Sequence, residues 1–155
     1  MKRSPNSENS SSDPRLSSPA SIELLVRVRY SETDRMGVAH NKNYFEWFEI
    51  GRTEFFRRKG VPYRSIEDKG FYMVVVEAFC RYKKSLRYDD SFIVSVRLRE
   101  LTPKKASFAY RLLSEDRTTL IAEGYTTHLI TNRNSEVCKL PLSLFEKLKD
   151  CVSAD

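Results

Sequence analysis

The most constraining feature of this 155-residue sequence is a helical pattern between Asn43 and Gly60 that is apolar around much of its circumference. At about 100° per residue, one stripe of this helix carries large aromatic side chains and a glycine, and further apolar residues fall on both flanks. The stripe consists of Tyr44, Trp47, Phe48, Gly51 and Phe55. Phe45 and Phe56 lie on one flank and Ile50 on the other. The remaining, polar face carries Glu46, Glu49, Thr53 and Arg57. An ordinary surface helix buries a single stripe, so this pattern predicts a helix of about four turns that is partly wrapped by other structure.

Capping and breaking residues mark the predicted ends of this helix. Asn43, followed three residues later by Glu46, fits a capping box. Gly60 and Pro62 supply the residue types that terminate helices. Residues 61–70 are interpreted as a linker.

Five runs are typical of strands, because β-branched and aromatic residues recur in them and several alternate with period two. They span residues 22–30, 71–82, 92–101, 107–113 and 120–132, and residues 141–150 favour a short helix that starts with a proline. One long helix with five strands predicts an α+β fold in which an antiparallel sheet curls around the helix. An edge strand of such a sheet could pair across a dimer.

The first 20 residues differ in composition from the rest of the chain. They hold seven serines and three prolines with hardly any apolar side chains, so they cannot bury enough surface to offset the entropy of ordering. We expect a disordered tail at 1–20 and one domain at 21–155. An organelle-targeting peptide is the alternative for the tail, although Glu8 and Asp13 weigh against it.

Charge and cysteine content exclude several classes of function. The formal net charge of +6 suits an anionic partner, but the basic clusters are short and scattered, which argues against nucleic acid. No run approaches the roughly 20 apolar residues of a membrane helix, so we expect no stable membrane insertion. Three cysteines without CxxC spacing and only two histidines indicate reduced thiols, no metal site and a cytoplasmic location.

The loop before the aromatic helix has the groups needed to hydrolyse an activated ester. It contains Asp34 and Gly37 and leads into the helix N-terminus, where unpaired N–H groups and the positive end of the helix dipole can stabilise an oxyanion. Asp34 could act as general base on water or as nucleophile. Gly37 would permit the turn that brings the carboxylate and the helix end together.

Several motifs in this order resemble a known family. The pattern Asp34-x-x-Gly37-x(6)-Tyr44 and the segments 74–83, 87–90 and 122–128 are similar to hotdog-fold acyl-CoA thioesterases of the 4-hydroxybenzoyl-CoA thioesterase type, including the Tol-Pal-associated thioesterases. The similarity covers roughly residues 22–148. It implies a five-stranded antiparallel sheet wrapped around one central helix, the hotdog fold, with a short C-terminal helix.

The resemblance also implies roles for individual residues. Asp34 matches the catalytic aspartate, Gly37 the turn glycine, and Asn41 the residue whose backbone N–H polarises the thioester carbonyl. Lys104 and Lys105 match a basic cluster that binds the phosphates of coenzyme A along a dimer interface. The family needs no bound cofactor or metal, and its homodimers often pair into homotetramers.

Two residues beside the expected site keep alternative interpretations. His40 could bind substrate or tune Asp34, or it could be a hydrogen-bonded structural histidine; many Tol-Pal-associated relatives carry their histidine one position later. Tyr44 could line an acyl pocket or belong to the core.

The function we expect from the sequence is hydrolysis of an acyl-CoA to a free acid and coenzyme A. The alternatives are an acyl-acyl carrier protein thioesterase and a non-catalytic acyl-CoA-binding protein of the same fold.

Overall fold

The structure, a computed structural model, describes residues 20–153. The elements in chain order are β1 (Ser21–Arg27), a 3₁₀ turn (Tyr30–Glu32), α1 (Lys42–Arg58), α2 (Tyr63–Asp68), β2 (Tyr72–Tyr82), β3 (Ser91–Thr102), β4 (Lys105–Ser114), β5 (Leu120–Thr131) and α3 (Leu142–Lys149). Apart from Ala20, the predicted tail lies outside the described residues, as do residues 154 and 155.

The five strands form one antiparallel sheet with the order β1-β3-β4-β5-β2. Hairpins join β3 to β4 and β4 to β5, and in the second of these the Arg117 N–H donates to the Ser114 carbonyl at 2.7 Å. Strand β2 follows the helices but pairs with β5, so it forms one edge of the sheet. The end of β2 thereby comes close to the helix that precedes it in sequence.

Helix α1 packs against the inner face of the sheet along its aromatic stripe. Phe48 stacks on Tyr110 of β4 with 4.3 Å between ring centroids, and Trp47 contacts Phe92 of β3. Gly51 permits the closest approach, because a Cβ at that position would lie 2.5 Å from a methyl group of Val96. The helix is therefore wrapped on one side, as the sequence predicts.

Strand β3 shows the alternation expected of a sheet with one covered face. Its even-numbered apolar residues from Phe92 to Leu98 are buried under α1. Ser95, Arg97 and Arg99 point to the opposite, outer face. This outer face carries the arginines discussed below.

Three local predictions were wrong. The first strand ends at Arg27 rather than residue 30, because the chain turns into the 3₁₀ segment. The segment 61–70 is not a simple linker, since it contains α2. The capping box does not form: α1 begins at Lys42, and the Asn43 side chain is buried and bonds to the loop before the helix.

The architecture confirms the predicted α+β hotdog fold, with five antiparallel strands around one long helix and a short C-terminal helix. Within residues 20–153, no helix is both long and apolar enough to cross a membrane.

Candidate active site

Asp34 lies in a tight turn immediately before α1. Its Oδ1 accepts the Met36 N–H at 2.8 Å, and its backbone carbonyl accepts the Gly37 N–H at 3.0 Å. Gly37 has a φ of +78°, which a residue with a Cβ rarely adopts. The turn leaves Oδ2 of Asp34 without a hydrogen bond from any residue in the range 20–153.

Buried polar groups fix this turn against the helix. The Glu32 carbonyl accepts the His40 N–H at 2.8 Å and the Asn43 side-chain amide at 2.7 Å. The Glu32 carboxylate is 5% exposed and accepts the indole N–H of Trp47 at 3.0 Å. Because Asn43 and Trp47 belong to α1, the Asp34 turn and the start of the helix are held as one unit.

The first turn of α1 leaves one amide group available. His40 Nδ1 accepts the Lys42 N–H at 3.1 Å, and the His40 carbonyl accepts the Asn43 N–H. The Asn41 N–H has no acceptor among the residues that the structure describes. It is one of the unpaired donors at a helix N-terminus, where the helix dipole favours negative charge.

Asp34 and Asn41 line the same cleft, which has a volume of about 430 Å³. The cleft is also lined by His40 and Tyr44, so the structure brings together five of the seven predicted site residues when the Gly37 turn is included. Opposite these residues, the wall of the cleft is formed by the end of β2 and the residues that follow the strand, namely Tyr82, Lys83, Lys84 and Ser85.

Tyr44 is buried rather than exposed in the cleft, and its ring packs edge-on against Tyr82 with 4.7 Å between centroids. Burial raises the pKa of Tyr44 to about 12, so it stays neutral. Nearby Cys80 is half-buried, and burial raises the pKa of its thiol to about 11. A thiol of that pKa stays protonated at neutral pH, so Cys80 is a poor nucleophile.

His40 lies one residue before the N-cap of α1 and bonds to the first residue of the helix. Since its Nδ1 accepts the Lys42 N–H, a neutral imidazole carries its proton on Nε2. The exposed ring therefore presents an N–H donor at the cleft.

Lys104 and Lys105 lie far from this cleft within one chain. Lys104 lies in the turn between β3 and β4 and Lys105 begins β4, whereas the cleft lies beside the opposite end of β3. Lys105 forms an ion pair with Glu100 at 3.2 Å, and Lys104 is exposed.

The structure identifies cleft residues that the sequence alone does not, above all Tyr82, Lys83 and Lys84. The hydroxyl of Tyr82 donates to the Asn41 carbonyl at 3.3 Å, which ties β2 to the first turn of α1. The signals in the sequence are the short basic cluster at 81–84 and the resemblance of segment 74–83 to the family. Its position at the cleft depends on the pairing of β2 with β5.

No group of three His, Cys, Asp or Glu side chains within residues 20–153 is arranged to hold a metal ion.

Comparison with known proteins gives matches over most of the chain. The family model described as the thioesterase-like superfamily matches residues 28–148. A protein of Aquifex aeolicus named as a candidate esterase is 40% identical over 124 residues, which are 80% of this chain and 94% of that protein.

Two further matches are with proteins named as thioesterases. The acyl-CoA thioesterase YbgC of Haemophilus influenzae is 30% identical over 89 residues, which are 57% of this chain and 65% of that protein. The crystal structure of a DHNA-CoA thioesterase from Staphylococcus aureus has the same fold, with a TM-score of 0.79, 23% identity and coverage of 84% of this chain and 89% of that one.

Proposed function

The chain belongs to the thioesterase-like superfamily, and from that premise we propose that it hydrolyses an acyl-CoA thioester to a free carboxylic acid and coenzyme A. Asp34 supplies the carboxylate for the reaction, and the Asn41 N–H stabilises the oxyanion. The named acyl-CoA thioesterase among its relatives supports coenzyme A as the carrier of the acyl group.

One observation carries this proposal: an unpaired amide at a helix N-terminus shares a cleft with a fixed carboxylate. The Asn41 N–H has no acceptor within residues 20–153, and Asp34 is held in place by the Met36 N–H. Pre-positioned donors of this kind lose no reorganisation energy when charge develops on the carbonyl oxygen.

The proposed reaction balances without any further reactant except water. The water oxygen bonds to the carbonyl carbon, its proton passes to Asp34, and the resulting oxyanion accepts the Asn41 N–H. The C–S bond then breaks as the carbonyl re-forms, and the departing thiolate takes the proton from Asp34. If the carboxylate attacks first, water cleaves the resulting anhydride and gives the same products. Neither route needs a cofactor or a metal.

Basic residues around the cleft suit the phosphates of coenzyme A. Lys83 and Lys84 line the cleft of the same chain, and their ammonium groups can pair with phosphate. Lys104 and Lys105 can reach the cleft only from a second copy, because they lie at the other end of the sheet. His40 and the ring of Tyr82 would contact the thioester end of the substrate.

We further infer that the second copy pairs along β2. This 11-residue edge strand exposes Val74, Val75 and Val76, and an uncovered edge with apolar side chains favours pairing with another strand. In an antiparallel β2–β2 pair, the Tyr82 end of one copy lies beside the Tyr72 end of the other. The β3–β4 turn with Lys104 and Lys105 lies near that Tyr72 end, since Lys104 accepts the N–H of Ile130 and Ile130 pairs with Met73.

A homotetramer, as implied by the resemblance, requires a second contact surface beyond β2. The unpaired cysteines Cys80, Cys138 and Cys151 support the cytoplasm as the compartment, because thiols stay reduced there.

Thiol release from a panel of short-chain, long-chain and aromatic acyl-CoAs tests the proposal. We expect steady-state turnover on at least one member, with the free acid and coenzyme A formed in equal amounts. Substrate bound without release of thiol by any member would instead indicate a non-catalytic binding protein. Turnover restricted to acyl-acyl carrier protein would overturn the choice of coenzyme A but not the chemistry.

A further inference from the structure

A second concave site lies on the outer face of the sheet, away from α1. It is a depression of about 280 Å³ whose floor includes the small side chains of Ser95 and Ala109. Four arginines from three strands line it: Arg81, Arg97, Arg99 and Arg111.

Strand register brings these arginines together. Arg111 of β4 lies opposite Glu123 of β5, and Glu123 lies opposite Arg81 of β2. Two residues further along each strand, on the same face, Ala109 lies opposite Tyr125, and Tyr125 lies opposite Phe79. The arginines therefore surround a centre of small residues, which leaves room for a ligand.

Two of the guanidinium groups are held in place by aromatic rings. Arg99 lies 4.7 Å from the ring centroid of Tyr125, and Arg81 lies 5.6 Å from that of Phe79. The two rings stack on each other, with centroids 5.5 Å apart and planes inclined by 22°. Stacked guanidinium groups lose less freedom when they bind a ligand, because their orientation is already restricted.

The depression has a surplus of positive charge. Arg81, Arg99 and Arg111 have no carboxylate within ion-pair distance among the residues that the structure describes. Glu123 is the acidic residue in the lining, and it pairs with Lys83 at 3.8 Å. Glu77, at the border, accepts the hydroxyl of Tyr125 at 2.6 Å.

The depression and the Asp34 cleft lie on opposite faces of the sheet, and Lys83, which lines the cleft, reaches Glu123 of the depression at the end of β2. Arg81 and Tyr82 are neighbours in β2, and successive side chains of a strand point to opposite faces. Tyr82 packs on Tyr44 beside the cleft, whereas Arg81 packs on Phe79 on the outer face. A ligand in the depression would thus not occupy the position of the thioester.

We propose that this arginine depression binds a compact anion carrying two or more phosphate groups. Planar guanidinium forks match phosphate oxygens in pairs, and several forks around one small volume favour closely spaced phosphates over a single carboxylate. Single-stranded nucleic acid is a poorer occupant, because the ring faces on which bases would stack are covered by each other and by arginine.

Calorimetric titration with tripolyphosphate tests the proposal on the full chain. We expect saturable binding with a Kd below about 1 mM at low salt, weakening as ionic strength rises. The double variant Arg99→Gln/Arg111→Gln should bind roughly 100-fold more weakly, since each of the two lost charge-assisted hydrogen bonds costs about tenfold in affinity. Arg99→Lys/Arg111→Lys should retain part of the affinity, because it keeps the charge but loses the forks.

The control is Arg64→Gln/Lys69→Gln, which removes two exposed positive charges on and just after α2, outside the depression. It should bind tripolyphosphate as the native protein does. Absence of saturable binding by the native protein, or equal Kd values for the depression variant and this control, would overturn the proposal.

A competition arm distinguishes two sources of the phosphates. If coenzyme A displaces tripolyphosphate, and the depression variant raises KM for acyl-CoA without changing kcat, the site holds the phosphates of the substrate. If coenzyme A does not compete and KM is unchanged, the site takes a separate oligophosphate metabolite. Either result supports an oligophosphate site, and neither depends on whether the Asp34 assignment is correct.

Discussion

Replacement of Asn43 tests whether the Asp34 turn and α1 are fixed as one unit. The Asn43 side-chain amide donates to the carbonyls of Glu32 at 2.7 Å and His40 at 3.1 Å. Without the Asn43 side chain, each carbonyl still accepts a hydrogen bond from a backbone N–H, so no buried acceptor is left without a partner. Asn43→Ala should therefore lose two net hydrogen bonds, or about 2 kcal/mol of unfolding free energy.

The Asn43→Asp variant gives a sharper comparison, because it has nearly the same shape but directs carboxylate oxygens at two carbonyl oxygens. It should be less stable than Asn43→Ala at pH 7, since burial against acceptors penalises the charged form. This arrangement raises the pKa of the new carboxyl in the folded state. The deficit relative to the native protein should therefore shrink as the pH falls and the carboxyl takes up a proton.

Urea unfolding measures these differences, and 2 kcal/mol corresponds to a midpoint lowered by about 1 M. Asn134→Ala is the control, because Asn134 is exposed and its side chain forms no hydrogen bond within the described residues. Both Asn43 variants should also lower kcat, because they loosen the turn against the helix end. Unchanged midpoints, or an aspartate variant as stable as the native protein, would refute the reasoning.

Three further outcomes follow from the structure. Gly51→Ala should destabilise the protein by about 1 kcal/mol despite the gain in helix propensity, because the new Cβ would lie 2.5 Å from a Val96 methyl group. In urea unfolding, Val96→Ala should lower the free energy of unfolding less in the Gly51→Ala protein than in the native protein, because it removes that methyl group. Burial lowers the pKa of His128 from 6.5 to about 4, so the unfolded state binds more protons than the folded state between these pH values. The free energy of unfolding should therefore fall by up to about 3 kcal/mol as the pH drops from 6.5 to 4. In His128→Gln, the urea midpoint should depend less on pH over this range. Val76 is 55% exposed on the edge strand β2, so Val76→Lys should shift the mass measured by light scattering toward the monomer and reduce turnover. The control is Leu142→Lys, at a residue 72% exposed on α3, which should change neither the mass nor the turnover.

The sequence predicts the fold well where the pattern is repetitive. Residues 92–101 are typical of a strand, as the structure shows for β3, and the wide apolar surface around Trp47 and Phe48 indicates a wrapped helix. These features depend only on the period of the side chains, so they are visible before any pairing of strands is known.

Predictions from local residue spacing were wrong where a side chain bonds to a residue distant in sequence. Asn43 and Glu46 have the spacing of a capping box, but the Asn43 amide instead bonds to Glu32, 11 residues earlier. His40 Nδ1 accepts the N–H of Lys42, the first residue of α1, whereas the sequence left His40 open between substrate binding and a structural role. The six-residue helix α2 was too short to show a periodic pattern.

The site was predicted in part, and the missing residues depend on topology. Asp34, Gly37 and Asn41 lie within eight residues of one another, so a single loop brings them together. Lys83 and Lys84 reach the cleft only because β2 crosses to the far edge of the sheet. The arginine depression likewise exists only through the registers of β2, β3, β4 and β5.

The central claim is that Asp34 performs the chemistry beside the Asn41 amide. The most direct test is kcat for the best acyl-CoA substrate, measured for the native protein, Asp34→Asn and the control Asp68→Asn, which removes an exposed carboxylate from the last turn of α2. Loss of a catalytic carboxylate should lower kcat by roughly 10²- to 10⁴-fold while the fold is retained, and Asp68→Asn should match the native protein. Equal kcat for Asp34→Asn and Asp68→Asn in folded proteins would contradict the account.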